Sequence, residues 1–351
     1  MVVFFSDIEA LNELLRNVTG EYSSVFVLCD DNTIRHCLPL INEVLPSGHK
    51  IIIIPSGEKN KNLDTCSLIW QELTDAAADR RSLLINLGGG VICDMGGFAA
   101  SCYKRGIDFV NIPTTLLAMA DASVGGKTGI DFNQYKNQIG LFSEPKETLI
   151  CDGFLKTLDE RQIRSGLAEI VKHYLIADEE SFMQFAETDP SVYMHPGMAM
   201  IRRAVDIKSG IVALDPLEKN ARKKLNFGHT IGHALESYTM ASPQPLLHGE
   251  AIAFGMAIEV FIAAFQGLID DKKAELVCYV LYSTFGLQPM PEEWATSIID
   301  IAGQDKKNDK GIIKMALIDA IGSCQIDIAV HTEDIKKAIL YFNKSINWYN
   351  R

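Results

Sequence analysis

Cysteine pairs of the C-x-x-C kind are absent from this chain, although it holds eight cysteines. Cysteines without that pairing, in a chain whose opening lacks a secretion signal, point to a reduced, cytoplasmic protein. A surplus of basic charge is absent too, the formal net charge being -12. Such a field repels polyanions and argues against unspecific binding to nucleic acid or to an anionic membrane. Any anionic substrate must therefore meet a local basic cluster. No apolar run reaches the roughly 20 residues that span a bilayer. The opening "MVVFFSDIEALNELL" has no basic segment, long apolar run or small-residue cleavage site. Neither membrane insertion nor secretion is expected. Internal repeats and low-complexity linkers are also missing.

What is present is a chain of 351 residues, 47% hydrophobic, long enough for a large core divided between two domains. "VFVLCD" (25–30), "IIIIP" (51–55), "LLINLGGG" (83–90), "FVNIPTT" (109–115) and "TLICD" (148–152) are short apolar runs, each followed by a helix-length segment. Near-continuous Val, Ile and Leu predict parallel strands covered on both faces. From about residue 153 the spacing becomes helical, as in "RQIRSGLAEIVKHYLIAD" and "GEAIAFGMAIEVFIAAFQGLI". "IKMALIDAIGSCQIDIAV" is a strand-like exception and predicts a short hairpin. The expected fold is α/β: a doubly wound, Rossmann-like parallel-sheet domain over 1–152, followed by a mainly α-helical domain over 153–351. A site in the cleft between domains is the default expectation.

Three glycine- or histidine-rich motifs carry chemistry, and each departs from a familiar fingerprint. "LGGGVICDMGGFAA" (87–100) joins a predicted strand to a helix, where backbone N–H groups and the helix N-terminus suit a pyrophosphate. Cys93 stands where the third glycine of G-x-G-x-x-G belongs, so a tightly packed turn is the plainer reading. "ASVGGKTG" (122–129) resembles the end of a P-loop, yet Asp121 occupies the position of its first glycine. Gly125, Gly126 and Lys127 suit a single phosphate; otherwise they form a glycine turn with a solvated lysine. "LNFGHTIGHALES" (225–237) places His229 and His233 four apart, on one helix face, the spacing of zinc sites. Thr230 follows the first histidine, which excludes the H-E-x-x-H protease motif. His248 and Glu169 are further candidates, with Lys172 one turn beyond Glu169. Two histidines and a carboxylate with an open position make a catalytic zinc site. His36, His49, His195 and His331 have no such company and are expected to be ordinary histidines.

Taken together, "GGGVICD", "YKRGIDFVNIPTTLLAMADASVGGKTGID", "KNQIGLF", "RSGLAEIVKH", "ARKKLNFGHTIGHALES", "LLHGEAIAFGM" and "DKKNDKG" resemble the 3-dehydroquinate synthase family, in that order and over about residues 25 to 325. The resemblance implies an NAD-dependent, zinc-requiring enzyme, with Co(2+) as a possible substitute, that acts on a small sugar phosphate as a homodimer. It implies Glu169, His229 and His248 as metal ligands and His233 as a contact to the substrate phosphate. Further substrate contacts carried over are Asp121, Lys127, Asn137, Lys172, Lys208, Arg222, Asn226 and Lys314, with Arg105 serving the neighbouring subunit. For NAD the matches are Asp30, Asn32, Glu58, Lys61, Gly89, Gly90, Asp94, Thr114, Thr115, Lys136, Phe154, Thr157 and Leu158. Departures from the family pattern are Cys93, Gln162, Tyr135 and a slightly longer segment between His233 and His248.

The implied reaction converts 3-deoxy-D-arabino-heptulosonate 7-phosphate to 3-dehydroquinate and phosphate. Transient oxidation by NAD acidifies a C–H and allows β-elimination of phosphate; re-reduction, ring opening and aldol closure follow. A related sugar-phosphate cyclase, such as a 2-deoxy-scyllo-inosose synthase, shares these steps on a substrate without a carboxylate. A metal-dependent polyol dehydrogenase would instead release NADH.

Overall fold

The computed structural model describes all residues except Gln134, Ala241, 305–311 and Arg351. The "DKKNDKG" motif therefore lies outside the described residues. Contacts divide the chain into two compact units, Met1–Asp159 with Gly197–Val205, and Glu160–Pro196 with Asp206–Arg351.

The first unit is built on six strands: β1 (Val2–Phe5), β2 (Ser24–Asp30), β3 (Lys50–Ile54), β4 (Ser82–Gly88), β5 (Asp108–Pro113) and, after the hairpin β6 (Lys127–Phe132) and β7 (Tyr135–Phe142), β8 (Glu147–Cys151). Their order is β1-β8-β5-β4-β2-β3, and every pairing is parallel. All seven residues of β4 are buried, as a strand covered on both faces requires. β3, at an edge, alternates and leaves Ile51 and Ile53 exposed. From β2 the chain steps outward to β3, then returns to β4 and proceeds the other way through β5 to β8. The direction of winding thus reverses between β2 and β4, whose carboxyl ends form the crevice where open α/β sheets bind ligands.

The helix Gly90–Cys102 leaves β4 and packs closely on the sheet. A Cβ on Gly96 would lie 2.0 Å from the Asn86 side-chain oxygen, and one on Gly97 would lie 2.6 Å from Thr128. Asn86 in turn donates its side-chain NH2 to Asn111 across β4 and β5 at 2.9 Å, while its own amide oxygen is buried against the helix without a hydrogen-bond partner among the described residues. Phe26, Leu28, Ile52, Ile54, Ile69, Met95 and Phe109 fill the surrounding core. Each such side chain contributes roughly 1.5–3 kcal/mol by leaving water.

The second unit is mainly helical. Its centre is the helix His248–Phe265, buried almost all round and packed against the helices Glu160–Ala177, His229–Thr239, Asp271–Phe285 and Thr332–Tyr349. Its length and composition would also suit a membrane span, but 72% of it is buried inside the fold, as in a core helix. The predicted hairpin is present as β9 (Ile312–Ala320) and β10 (Ser323–His331), antiparallel around Gly322 at φ 81°. The five strands read from the apolar runs match β2, β3, β4, β5 and β8 within a residue or two. The sequence reading missed β1, which is short, and the β6–β7 hairpin, whose glycines and exposed face hide its alternation.

Candidate functional site

In the first unit the cofactor candidates follow the carboxyl ends of β2, β3, β4, β5 and β8, with Lys136 on β7. Gly89 is the N-cap of the helix Gly90–Cys102 and has no side chain to cap it, so its first N–H groups face outward to any acceptor. A Cβ on Gly89 would press on Thr115 at 3.1 Å, and one on Gly90 would press on Ala122 at 3.3 Å. Thr114 donates its N–H to the Gly88 carbonyl, and Thr115 Oγ1 accepts from the Ala118 N–H, which sets the neighbouring turn. Asp30 ends β2 with Oδ1 accepting from the backbone of Asn32 and Thr33, both at 2.9 Å. This leaves its second oxygen oriented at the strand end, the position where a carboxylate meets a ribose hydroxyl. Phe154 is buried in the short helix Asp152–Thr157 that follows β8, and Thr157 and Leu158 close that helix.

Lys61 is the most enclosed cation of this unit, 3% exposed, and donates to Asp94 and to Asn137 Oδ1, each at 2.6 Å. Burial works to lower its pKa, but the charges of Asp94 and Glu58 outweigh it, and the ammonium is held above the usual lysine range. Lys136 pairs with Glu58 at 3.2 Å. Because the bond from Lys61 uses the Asn137 amide oxygen, that side chain can present only its NH2 to an anion. Asn137 sits at φ 52° and its N–H is held by Asp131 at 2.8 Å.

The opening glycines of "ASVGGKTG" are not a P-loop but the entry to a hairpin. Gly125 and Gly126 have φ 94° and 66°, and Lys127 begins β6 with its side chain exposed. Asp121 lies just before, on a π-helical turn Ala118–Ala122, an element frequent at functional sites. Arg105 is exposed at φ 69°, beside a cavity of about 290 Å³ lined by Ser101, Ser143, Glu144 and Lys146.

In the second unit, Glu169 is completely buried on the helix Glu160–Ala177, beside the equally enclosed Lys172. Nε2 of His248 lies 3.3 Å and Nε2 of His229 lies 3.6 Å from the same oxygen, Oε1 of Glu169. One ligand atom from each lies within 4.8 Å of the others, a spacing able to enclose a metal ion. The opposite ring nitrogens are both engaged: Nδ1 of His229 with the Phe227 carbonyl at 3.1 Å, Nδ1 of His248 with Glu236 Oε2 at 3.2 Å. Carbonyl and carboxylate partners require a proton on Nδ1 and so turn each Nε2 toward Glu169 as the atom able to meet a metal. Burial, with the nearby Lys172 charge, drives the His229 pKa well below 6.5. At His248 burial is opposed by hydrogen bonds to Glu169 and Glu236, and the pKa rises to about 10.

His233 follows one turn after His229, its ring centroid 5.0 Å from that of His229 and 5.8 Å from that of His248. Arg222 is 1% exposed and donates to the Pro216 carbonyl, while Asp215 gathers the N–H groups of Lys219, Asn220 and Arg222 to shape the loop. Asn226 donates to Glu218 at 3.1 Å. Lys208 is buried on the helix Met198–Leu214, and Lys314 is exposed on β9.

Residues 51–165 match the family described as 3-dehydroquinate synthase N-terminal, and residues 166–308 match 3-dehydroquinate synthase C-terminal. The chain belongs to the 3-dehydroquinate synthase family. It is 38% identical to a 3-dehydroquinate synthase of Parabacteroides distasonis over 98% of both chains. Among solved structures it is similar to ValA, the 2-epi-5-epi-valiolone synthase of Streptomyces hygroscopicus subsp. jinggangensis, with NAD+ and Zn2+ bound. That likeness has a TM-score of 0.82 at 28% identity, covering 98% of this chain and 96% of the other. A 2-deoxy-scyllo-inosose synthase complexed with carbaglucose-6-phosphate, NAD+ and Co2+ shares the fold, with a TM-score of 0.81 at 24% identity over 96% and 95% of the two chains.

Within this 3-dehydroquinate synthase family member, one departure noted in the sequence acquires a physical reading. Cys93 is buried, its thiol directed at the Gly88 carbonyl at 3.7 Å and its pKa pushed up by burial. The close helix-to-sheet approach that a third glycine would serve is made one turn later, by Gly96. Two buried carboxylates, Glu236 and Glu259, were not found by sequence reasoning. Glu236 had a signal: with His229 and His233 it completes an i, i+4, i+7 stripe on one helix face. Glu259 had none, since it lies inside an apolar helix and acts on a different one.

Proposed function

We propose that this chain is a carbon–oxygen lyase that converts 3-deoxy-D-arabino-heptulosonate 7-phosphate to 3-dehydroquinate and phosphate, using NAD catalytically. One observation carries the reading beyond family membership: two anchored histidines and a buried carboxylate converge on one point beside a buried lysine. The donor set, two imidazole nitrogens and a carboxylate with an open side, fits Zn(2+) or Co(2+) at a catalytic site. The uncapped glycine N-terminus after β4, with Asp30 at the end of β2, fits a dinucleotide.

Glu169, His229 and His248 would hold the metal; Gly89, Gly90 and Asp30 would hold the pyrophosphate and ribose of NAD. When bound, the metal supplies Lewis acidity toward a substrate hydroxyl, and NAD supplies a reversible two-electron acceptor. In the first unit, Lys127 and the NH2 of Asn137 serve the phosphate and Asp121 a hydroxyl. Lys61 keeps Asn137 oriented by occupying its oxygen. In the second, His233, Asn226 and Lys314 serve the phosphate, Arg222 with Lys208 the carboxylate, and Lys172 a hydroxyl. The remaining cofactor matches, Asn32, Glu58, Lys136 and Thr114 among them, line or brace the NAD side. All eight cysteines are free and seven are buried, which supports a reducing, cytoplasmic location. The reading includes a homodimer in which Arg105 serves the neighbouring subunit's phosphate.

The decisive assay measures phosphate released from the heptulosonate with NAD at a small fraction of the substrate, with and without a chelator. Many turnovers per NAD, no accumulating NADH and loss of activity on chelation are expected. Turnover confined to a hexose phosphate lacking the carboxylate would place the chain among the related cyclases instead. Stoichiometric NADH would make it a dehydrogenase.

A further inference from the structure

We propose that Glu259 is a positioning residue for His229, acting through the backbone of the helix that His229 begins. The inference rests on the metal-ligand reading of Glu169, His229 and His248. The helix His229–Thr239 starts at Gly228, which has φ 79° and no side chain to cap the exposed N–H groups. A side chain there is excluded, because a Cβ on Gly228 would meet Met256 at 2.5 Å. Glu259, completely buried on the helix His248–Phe265, supplies the cap from outside. Its Oε2 accepts from the Gly228 N–H at 2.7 Å and its Oε1 from the Ile231 N–H at 3.0 Å. These are the N-cap and N3 amides, the two donors that a local capping box satisfies with two side chains. Here one carboxylate takes both, and its charge faces the positive end of the helix.

The two helices run antiparallel and in close contact. A Cβ on Gly255 would lie 1.9 Å from the Gly228 carbonyl, Gly232 faces Ala251 and Ile252, and Glu236 meets His248. One element therefore begins with the ligand His248 and also fixes the first turn of the helix that begins with the ligand His229. Loss of the double cap should let that turn fray and displace the His229 Nε2 from Glu169.

The test is a Co(2+) titration of the full-length chain after chelator treatment, followed by visible absorption, alongside circular dichroism and melting. Glu259→Gln keeps one acceptor and should weaken Co(2+) binding about tenfold with an altered spectrum; Glu259→Ala should weaken it about a hundredfold. Val260→Ala, a core truncation on the same helix, should lower the melting temperature with Co(2+) affinity unchanged. Folded Glu259 variants that bind Co(2+) with wild-type affinity and spectrum would overturn the proposal. If neither variant folds, amide exchange on the unsubstituted apo protein decides: Gly228 and Ile231 should exchange as slowly as the core, and fast exchange there overturns the double cap. Glu169→Ala separates the two levels. If it keeps full Co(2+) affinity, the metal-ligand reading fails and this inference falls with it; if it loses binding while the Glu259 variants do not, only the role of Glu259 is rejected.

Discussion

The carboxyl end of β4 and the histidine face of the helix His229–Thr239 both offer polar groups to a ligand, but they are built from different material. In the first unit the groups are backbone amides, exposed because Gly89 and Gly90 carry no side chain and because the strand order reverses beside them. In the second they are side-chain nitrogens, aimed by a carbonyl and by a buried carboxylate from the same helix. A backbone site depends on chain path and on what cannot be added to it. A side-chain site depends on partners that hold each ring, so it can be weakened by a residue that never touches the ligand.

Substitutions can break that contrast, beginning with the largest effect. Glu169→Ala should lower phosphate release about a thousandfold or more and remove bound metal from the purified protein, as measured by turnover and elemental analysis. Unchanged turnover with metal still present would show that the carboxylate is not a ligand. Lys61→Met tests the ion pair that braces the first unit. Leaving Asp94 without its buried partner should cost about 3 kcal/mol in denaturant unfolding. The raised Lys61 pKa sets the pH dependence: the pair contributes fully below the unfolded lysine value of ~10.4 and is lost only as pH rises through the folded value. The difference between the two proteins should therefore stay flat from about pH 6 to about pH 9, and a strong slope there would contradict the assignment.

Two smaller effects sharpen the comparison. Glu236→Gln leaves all three proposed ligands in place and should weaken metal binding about tenfold, read by competition with a chromogenic chelator. An unchanged affinity would mean that the Phe227 carbonyl and packing alone orient the rings. Gly89→Ala adds only a methyl group, at 3.1 Å from Thr115, and should weaken NAD binding about tenfold, roughly 1.4 kcal/mol, by calorimetry. Its metal affinity should match the wild type, because each site belongs to its own unit.

The uninterrupted Val, Ile and Leu runs made β2, β3, β4, β5 and β8 legible, and helical spacing did the same for the segments around Glu169 and His248. The β6–β7 hairpin was not, although it carries Lys127, Lys136 and Asn137. Its residues alternate only weakly and much of its apolar surface is exposed, as at Phe132, Leu141 and Phe142, so no inward face shows in the pattern. Cys93 breaks the G-x-G-x-x-G pattern, and the close helix-to-sheet approach lies three residues further on, at Gly96, where that pattern does not show it.

Periodicity, turn glycines and the four-residue spacing of His229 and His233 are local properties, and the sequence determined them alone because they depend on neighbours within one or two helical turns. Which nitrogens are pinned was decided only by tertiary structure. Glu236 reaches His248 across 12 residues and Glu259 reaches Gly228 across 31, through helices brought side by side by Gly228, Gly232 and Gly255. The physical reason is that these two buried carboxylates take their partners from another element, and no spacing within their own helices announces where those partners are.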